Sequence, residues 1–155
     1  MVSVVSQDIY LFNSSIRDNI CMYKEIDDKI VMEVCENSGL SDFISEVSLD
    51  YVVGQNGAML SGGQKQKIAL ARALVQNSPI VIFDEATSNT DVYSEQQING
   101  LLHTKLKEKT VIIITHKQEI LREADQIILL KDGIVIGTGR YDDLIKSNVD
   151  FKDMI

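Results

Sequence analysis

Ile80-Val81-Ile82-Phe83-Asp84-Glu85 is an apolar run that ends on two adjacent carboxylates. Its apolar part is too short for a helix and rich in β-branched residues, so it reads as a strand. Neighbouring residues at a strand end point in different directions. Asp84 can therefore serve a magnesium ion while Glu85 addresses a water molecule, the pairing that nucleoside triphosphate hydrolysis needs. For the hexapeptide alone, a strand that ends in a solvated acidic turn is an equally good account. Upstream, Leu60-Ser61-Gly62-Gly63-Gln64 opens an amphipathic stretch. Ser61 stands where an N-cap belongs, and glycine amides at the positive end of a helix dipole form an anion site. The simpler account of that pentapeptide is a flexible turn with a serine cap. Gln7 follows the short strand Ser3-Val4-Val5, and His116 follows TVIIIT. By itself each is an ordinary surface residue.

The elements that must carry these groups follow from periodicity. From Asn13 to Asn77 the pattern is mainly helical. Asp27 or Asp28 caps a helix with apolar positions Ile30, Val31, Val34 and Cys35, which Gly39 stops, and a short helix follows Ser41. The helix that Ser61 caps places Ile68, Ala71, Leu74 and Val75 on one face and ends near Pro79, the single proline. Beyond it, IVIF at 80–83, VIII at 111–114 and IILL at 127–130 read as buried strands. Helical segments at about 92–107, with Ile98, Leu101, Leu102 and Leu106 as its stripe, and near 118–123 separate them. Strands that alternate with helices imply a mostly parallel sheet with functional loops at the strands' C-terminal ends. Asp132-Gly133 is a hairpin signal, so the sheet is expected to end in an antiparallel pair.

Composition narrows the classes. With 155 residues, 45% apolar and 25% charged, the chain has the make-up of one globular unit. Its 15 basic against 23 acidic residues, a formal net charge of −8, argue against a nucleic-acid reader. No apolar run approaches the roughly 20 residues of a membrane span, and the N-terminus lacks signal-peptide features. Cys21 and Cys35 show no metal-ligand spacing and read as reduced, buried, cytosolic thiols.

Taken together, the motifs resemble the nucleotide-binding domain of ABC transporters. LSGGQ, continued by Lys65-Gln66-Lys67-Ile68-Ala69-Leu70-Ala71-Arg72-Ala73-Leu74, is similar to that family's signature motif, and the acidic strand follows at the usual distance. The resemblance implies roles. Gln7 is similar to the Q-loop glutamine, which contacts magnesium or the attacking water and faces the membrane domain. Asp84 and Gln7 would organise magnesium, and Glu85 would be the general base or water-orienting carboxylate. His116 resembles the H-loop histidine that touches the γ-phosphate. Ser61, Gly62, Gly63 and Gln64 would reach the nucleotide of a partner subunit. Ser88-Asn89-Thr90-Asp91 resembles the D-loop, keeping the outer pair of SALD, and Asp91 would help to hold two domains together. Leu11 to Ile20 and Val53-Gly54-Gln55-Asn56-Gly57 resemble the post-Q segment and the X-loop of exporters, with Gln55 where an acidic residue is usual.

No stretch matches the Walker A pattern G-x-x-x-x-G-K-[ST]. In the family that loop lies upstream of the Q-loop, so the expectation is a truncated domain. It would be an α/β, P-loop NTPase-like, mostly parallel sheet with a helical subdomain, incomplete at the N-terminus. About 9–78 form the helical, signature-bearing part and 79–155 the C-terminal part of the α/β core. The implied cofactors are ATP and Mg2+. The implied partners are a second ABC nucleotide-binding domain and the transmembrane domains of an exporter, with no nucleic acid. The parent is expected at the cytoplasmic face of the cell membrane, the fragment to be soluble and by itself inactive. In the family one further strand lies between 110–115 and 126–131. Without it, direct closure of those two strands or pairing with a neighbouring chain is expected. The alternative functions are a non-catalytic dimer-interface module and a soluble, non-transport ABC ATPase.

Overall fold

Short runs of β-branched and large apolar residues form the first sheet of the computed structural model, which describes residues 1–85 and 99–155. Strands β1 (Val2–Val5), β2 (Ile80–Asp84) and β3 (Thr110–Ile114) lie in the order β1-β2-β3, all parallel. The register sets Val5 beside Phe83 and Phe83 beside Ile113, so Ser3, Val5, Val81, Phe83, Val111 and Ile113 share one face. That face is sealed by Ala69, Leu70, Ala73, Leu101 and Leu106. At its margin the buried hydroxyls of Ser3 and Ser78 satisfy each other at 2.7 Å. The other face carries Val2, Val4, Ile112 and Ile114, each about half exposed. The expectation of buried strands is therefore right for one face of this sheet and wrong for the other. An unbroken β-branched run marks a strand, but whether both faces are covered depends on what packs there.

Helices α1 (Ile16–Cys21), α2 (Asp28–Asn37), α3 (Ser41–Val47) and α4 (Gly62–Val75) belong to the same compact unit, Met1–Ile114. Of the two candidate caps for α2, Asp27 is the one used, accepting from the Lys29 N–H at 2.8 Å. Gly39, at φ +71°, turns the chain after it. Val31, Val34 and Cys35 are buried as the spacing predicts, whereas Ile30 lies at the stripe's edge and is half exposed. Leu11, Ile16, Ile20, Leu40, Val53 and Ile68 complete this core. Helix α4 serves two cores: Ile68 and Ala71 face the helical cluster, while Ala69, Leu70 and Ala73 face the sheet. Leu74 and Val75, expected with Ile68, are only partly buried. Both cysteines are free and buried, and burial pushes the Cys35 thiol up to about 11.

The turn before α4 depends on left-handed backbone: Gly54, Asn56 and Gly57 have φ of +77°, +50° and +67°. A Cβ on Gly57 would also lie 2.8 Å from Leu11 Cδ1 and 3.1 Å from Lys65 Cε. Leu11 is completely buried and has nowhere to go. Gly57→Ala is expected to lower unfolding stability by about 1–3 kcal/mol through strain and overpacking. A urea midpoint equal to wild type would show that the turn accommodates a side chain.

Of the helix expected over 92–107, residues 99–103 are described as helical, and the chain turns from 104 onward. It ends short of the expected boundary, where the Leu106 N–H closes on the Leu101 carbonyl at 2.9 Å. Leu101 and Leu106 are buried, and Ile98 lies outside the described residues.

The second compact unit, Thr115–Ile155, holds α5 (Gln118–Glu123), β4 (Ile127–Lys131), β5 (Ile134–Gly139), α6 (Tyr141–Ser147) and α7 (Val149–Met154). Strands β4 and β5 are antiparallel, joined at Asp132 (φ +50°) and Gly133 (φ +77°), the two positive values that a type I′ turn requires. Ile127, Leu129, Tyr141, Leu144 and Phe151 form its core, with the Arg122 guanidinium 4.5 Å over the Tyr141 ring. Ile128 and Leu130 are exposed, so IILL too is buried on one side only. The antiparallel pair is a separate ladder rather than the end of the first sheet, and among the described residues no ladder joins β3 to β4. A hairpin turn determines its own pair, whereas joining two sheets needs long-range pairing that local sequence does not encode.

Candidate functional site

Because β1, β2 and β3 are parallel, the chain leaves all three at one edge of the sheet. Gln7, just past β1, is exposed there. Asp84 ends β2, partly buried, opposite Ile114. Glu85 departs from strand geometry with φ +45°, while its N–H still donates to the Ile114 carbonyl at 3.1 Å. A non-glycine residue in the left-handed region carries strain of about 1 kcal/mol or more. The bend breaks the strand alternation and turns Glu85 away from the direction a continued strand would give it. The sequence pattern foresees two differently aimed carboxylates but not this bend. His116 is exposed and belongs to the second unit, just past β3 in the chain. Asp91, with the D-loop-like tetrapeptide, lies outside the described residues.

At the start of α4, Ser61 Oγ accepts from the Gln64 N–H at 3.2 Å, and Gln64 Oε1 accepts from the Ser61 N–H at 2.8 Å. This capping box satisfies the third amide of the helix and leaves those of Gly62 and Gly63 without an intrahelical partner. Ser61, Gly62 and Gly63 are exposed, and among the described residues a Cβ at either glycine would meet nothing within 4 Å. Neither glycine has positive φ. Packing and backbone conformation therefore do not require glycine here, although each glycine disfavours the helix by up to about 1 kcal/mol relative to alanine. Bare amides at a helix N-terminus are a geometry that admits the close approach of an anion.

Arg72 and Asn19 were not singled out from the sequence. Asn19 is completely buried between Phe12, Ser15 and Arg72, which reaches it from α4. Burial lowers the Arg72 pKa from its usual value. The available signal was a cation inside the apolar run IALARALV.

The chain belongs to the ABC transporter family, whose profile matches residues 1–88, a span that carries Gln7, Ser61–Gln64, Asp84 and Glu85. It is 38% identical to the ATP-dependent lipid A-core flippase of Escherichia coli (strain K12) over 149 residues, 94% of this chain and 26% of the flippase. The same figures hold for the flippase of Shigella flexneri. A solved structure described as a bacterial Atm1-family ABC exporter with ATP bound matches with a TM-score of 0.92 at 33% identity, over 99% of this chain and 27% of that one. The fold is thus that of an ABC ATPase domain of exporter type, α/β with a parallel sheet and a helical layer. The chain spans about a quarter of the length of the relatives it matches. Among the described residues no helix is long and apolar enough to cross a membrane.

Proposed function

We propose that this chain is the signature-bearing and carboxylate-bearing part of the ATP-hydrolysing domain of an ABC exporter, with 9–78 as the helical part and 79–155 as the C-terminal part of the core. The single observation that carries the reading is the exposed start of α4, where two glycines that the fold does not need leave their amides bare beside the Ser61 hydroxyl. The Ser61 oxygen is used as the cap acceptor, so its O–H stays available to donate to a phosphate oxygen. In this reading Ser61, Gly62, Gly63 and Gln64 address the nucleotide held by a second nucleotide-binding domain. Asp84 and the Gln7 side-chain oxygen are hard oxygen donors that suit Mg2+, which would draw charge from the phosphates. Glu85 orients or deprotonates the attacking water, and His116 donates to the γ-phosphate. Asp91 belongs to the contact between the two domains. Positioning and electrostatic stabilisation then supply most of the rate. The parent works at the cytoplasmic face of a membrane, coupled to transmembrane domains, as the exporter relatives suggest.

The purified full protein is expected to hydrolyse ATP only with a divalent cation, losing turnover in EDTA and regaining it with excess Mg2+. The 155-residue chain alone, with no Walker A loop in its sequence, is expected to show no turnover and a Kd for Mg-ATP of about 1 mM or weaker, roughly −4 kcal/mol. Calorimetric titration measures the second. Metal-independent turnover by the full protein, or micromolar binding by the chain alone, would overturn the assignment of the phosphate contacts.

A further inference from the structure

Arg72 interrupts the apolar run of α4, and its side chain leaves the helix to reach three carbonyl oxygens. Nε donates to the Asn19 main-chain oxygen at 2.8 Å, one terminal nitrogen to Asn19 Oδ1 at 3.2 Å, and the other to the Tyr10 oxygen at 3.1 Å. Asn19 extends the connection: its Oδ1 also accepts from the Phe12 N–H at 2.8 Å, and its Nδ2 donates to the Phe12 and Ser15 carbonyls at 3.0 Å each. One guanidinium therefore holds both ends of the 10–19 segment on the helix that begins at the signature. A second tie runs parallel to it. The Leu11 N–H donates to Asn56 Oδ1 at 3.3 Å, and the Asn56 carbonyl accepts from Lys65 Nζ of α4 at 2.9 Å. The tethered segment begins just after Gln7.

We propose that Arg72 is a positioning residue that makes the segment following Gln7 and the signature helix move as one body, so that a displacement at Gln7 is passed to the Gly62 and Gly63 amides. The proposal rests on the reading of Gln7 and the signature given above. Folding alone gives little reason for this choice of side chain. Partly burying a cation among neutral carbonyls is expensive, and an apolar side chain of similar volume would serve stability at least as well. What the guanidinium adds is a planar fork that grips several acceptors at once, which a lysine ammonium cannot span.

The test uses the full protein with Arg72→Met and Arg72→Lys. In both variants the Phe12 amide is expected to exchange at least about tenfold faster than in wild type, because Asn19, whose side chain accepts from it, loses its anchor, whereas the Leu11 amide, held through Asn56 and Lys65, is expected to change little. kcat is expected to fall about tenfold with the KM for ATP within twofold, since Arg72 addresses no nucleotide. Lysine is not expected to rescue either property. Wild-type exchange at Phe12 overturns the proposal. So does a kcat that returns to wild type once normalised to the folded fraction, or restoration by lysine. The exchange measurement involves no nucleotide, so it stands whether or not the ATPase reading does. Failure of that reading would appear separately, as Mg2+-independent turnover or as Glu85→Gln retaining wild-type turnover.

Discussion

Glu85→Gln in the full protein is expected to lower ATP turnover by about 10² to 10⁴ while leaving nucleotide binding within a fewfold of wild type. Glutamine keeps the size and hydrogen-bonding reach of the side chain and removes the carboxylate that would accept or orient the water's proton. The backbone at this position supplies a control. Glu85 sits at φ +45°, a conformation that glycine adopts without strain. Glu85→Gly relieves that backbone strain and is expected to abolish turnover just as fully. Loss of activity without loss of stability would locate the effect in the chemistry. Turnover by Glu85→Gln within threefold of wild type would remove Glu85 from the mechanism.

Gly63→Asp should separate stability from function still more sharply, because the two effects have opposite signs. Among the described residues a Cβ at Gly63 meets nothing within 4 Å, and the position lies in the first turn of a 14-residue helix. An acidic side chain there complements the helix dipole, and replacing glycine restores helix propensity, so unfolding stability should rise by about 0.5–1 kcal/mol. The same carboxylate occupies the place where the bare amides would receive a phosphate, and repels it. Turnover of the full protein is expected to fall by at least about 10², the scale of losing a preorganised oxyanion contact. Gly63→Ala, which adds bulk without charge, should fall between wild type and aspartate. Steady-state ATPase and a thermal melt on the same preparations measure both signs. An aspartate variant that is more stable and still active would show that the start of α4 contacts no anion.

The parts of this molecule that were readable from the chain are those decided within a few residues. Asp27 caps α2 and Ser61 caps α4, the latter reciprocated by Gln64; Asp132-Gly133 makes its hairpin; Gln118–Glu123 is helical. Each follows from a local conformational preference and the nearest backbone donors. LSGGQ and Asp84-Glu85 stand out in the sequence for a related reason: adjacent glycines at a helix start and paired carboxylates at a strand end are local departures from what folding alone favours. Ile30 was misplaced because it sits at the edge of a helical stripe, where periodicity does not decide exposure.

Only the tertiary structure decided the rest, and in each case the deciding partner is far away in the chain. Which face of β1, β2 and β3 is buried depends on α4 and on Leu101 and Leu106. The bend at Glu85 is held by the carbonyl of Ile114. Arg72 shows the difference most clearly. By sequence it is one cation in an apolar run, and it acquires its place from Asn19 and Tyr10. Short-range propensity was enough to place the strands and helices α2 to α5, but not α6 and α7. Burial, register and the connections between elements are set by long-range packing, whose energy is shared among residues that no local window contains together.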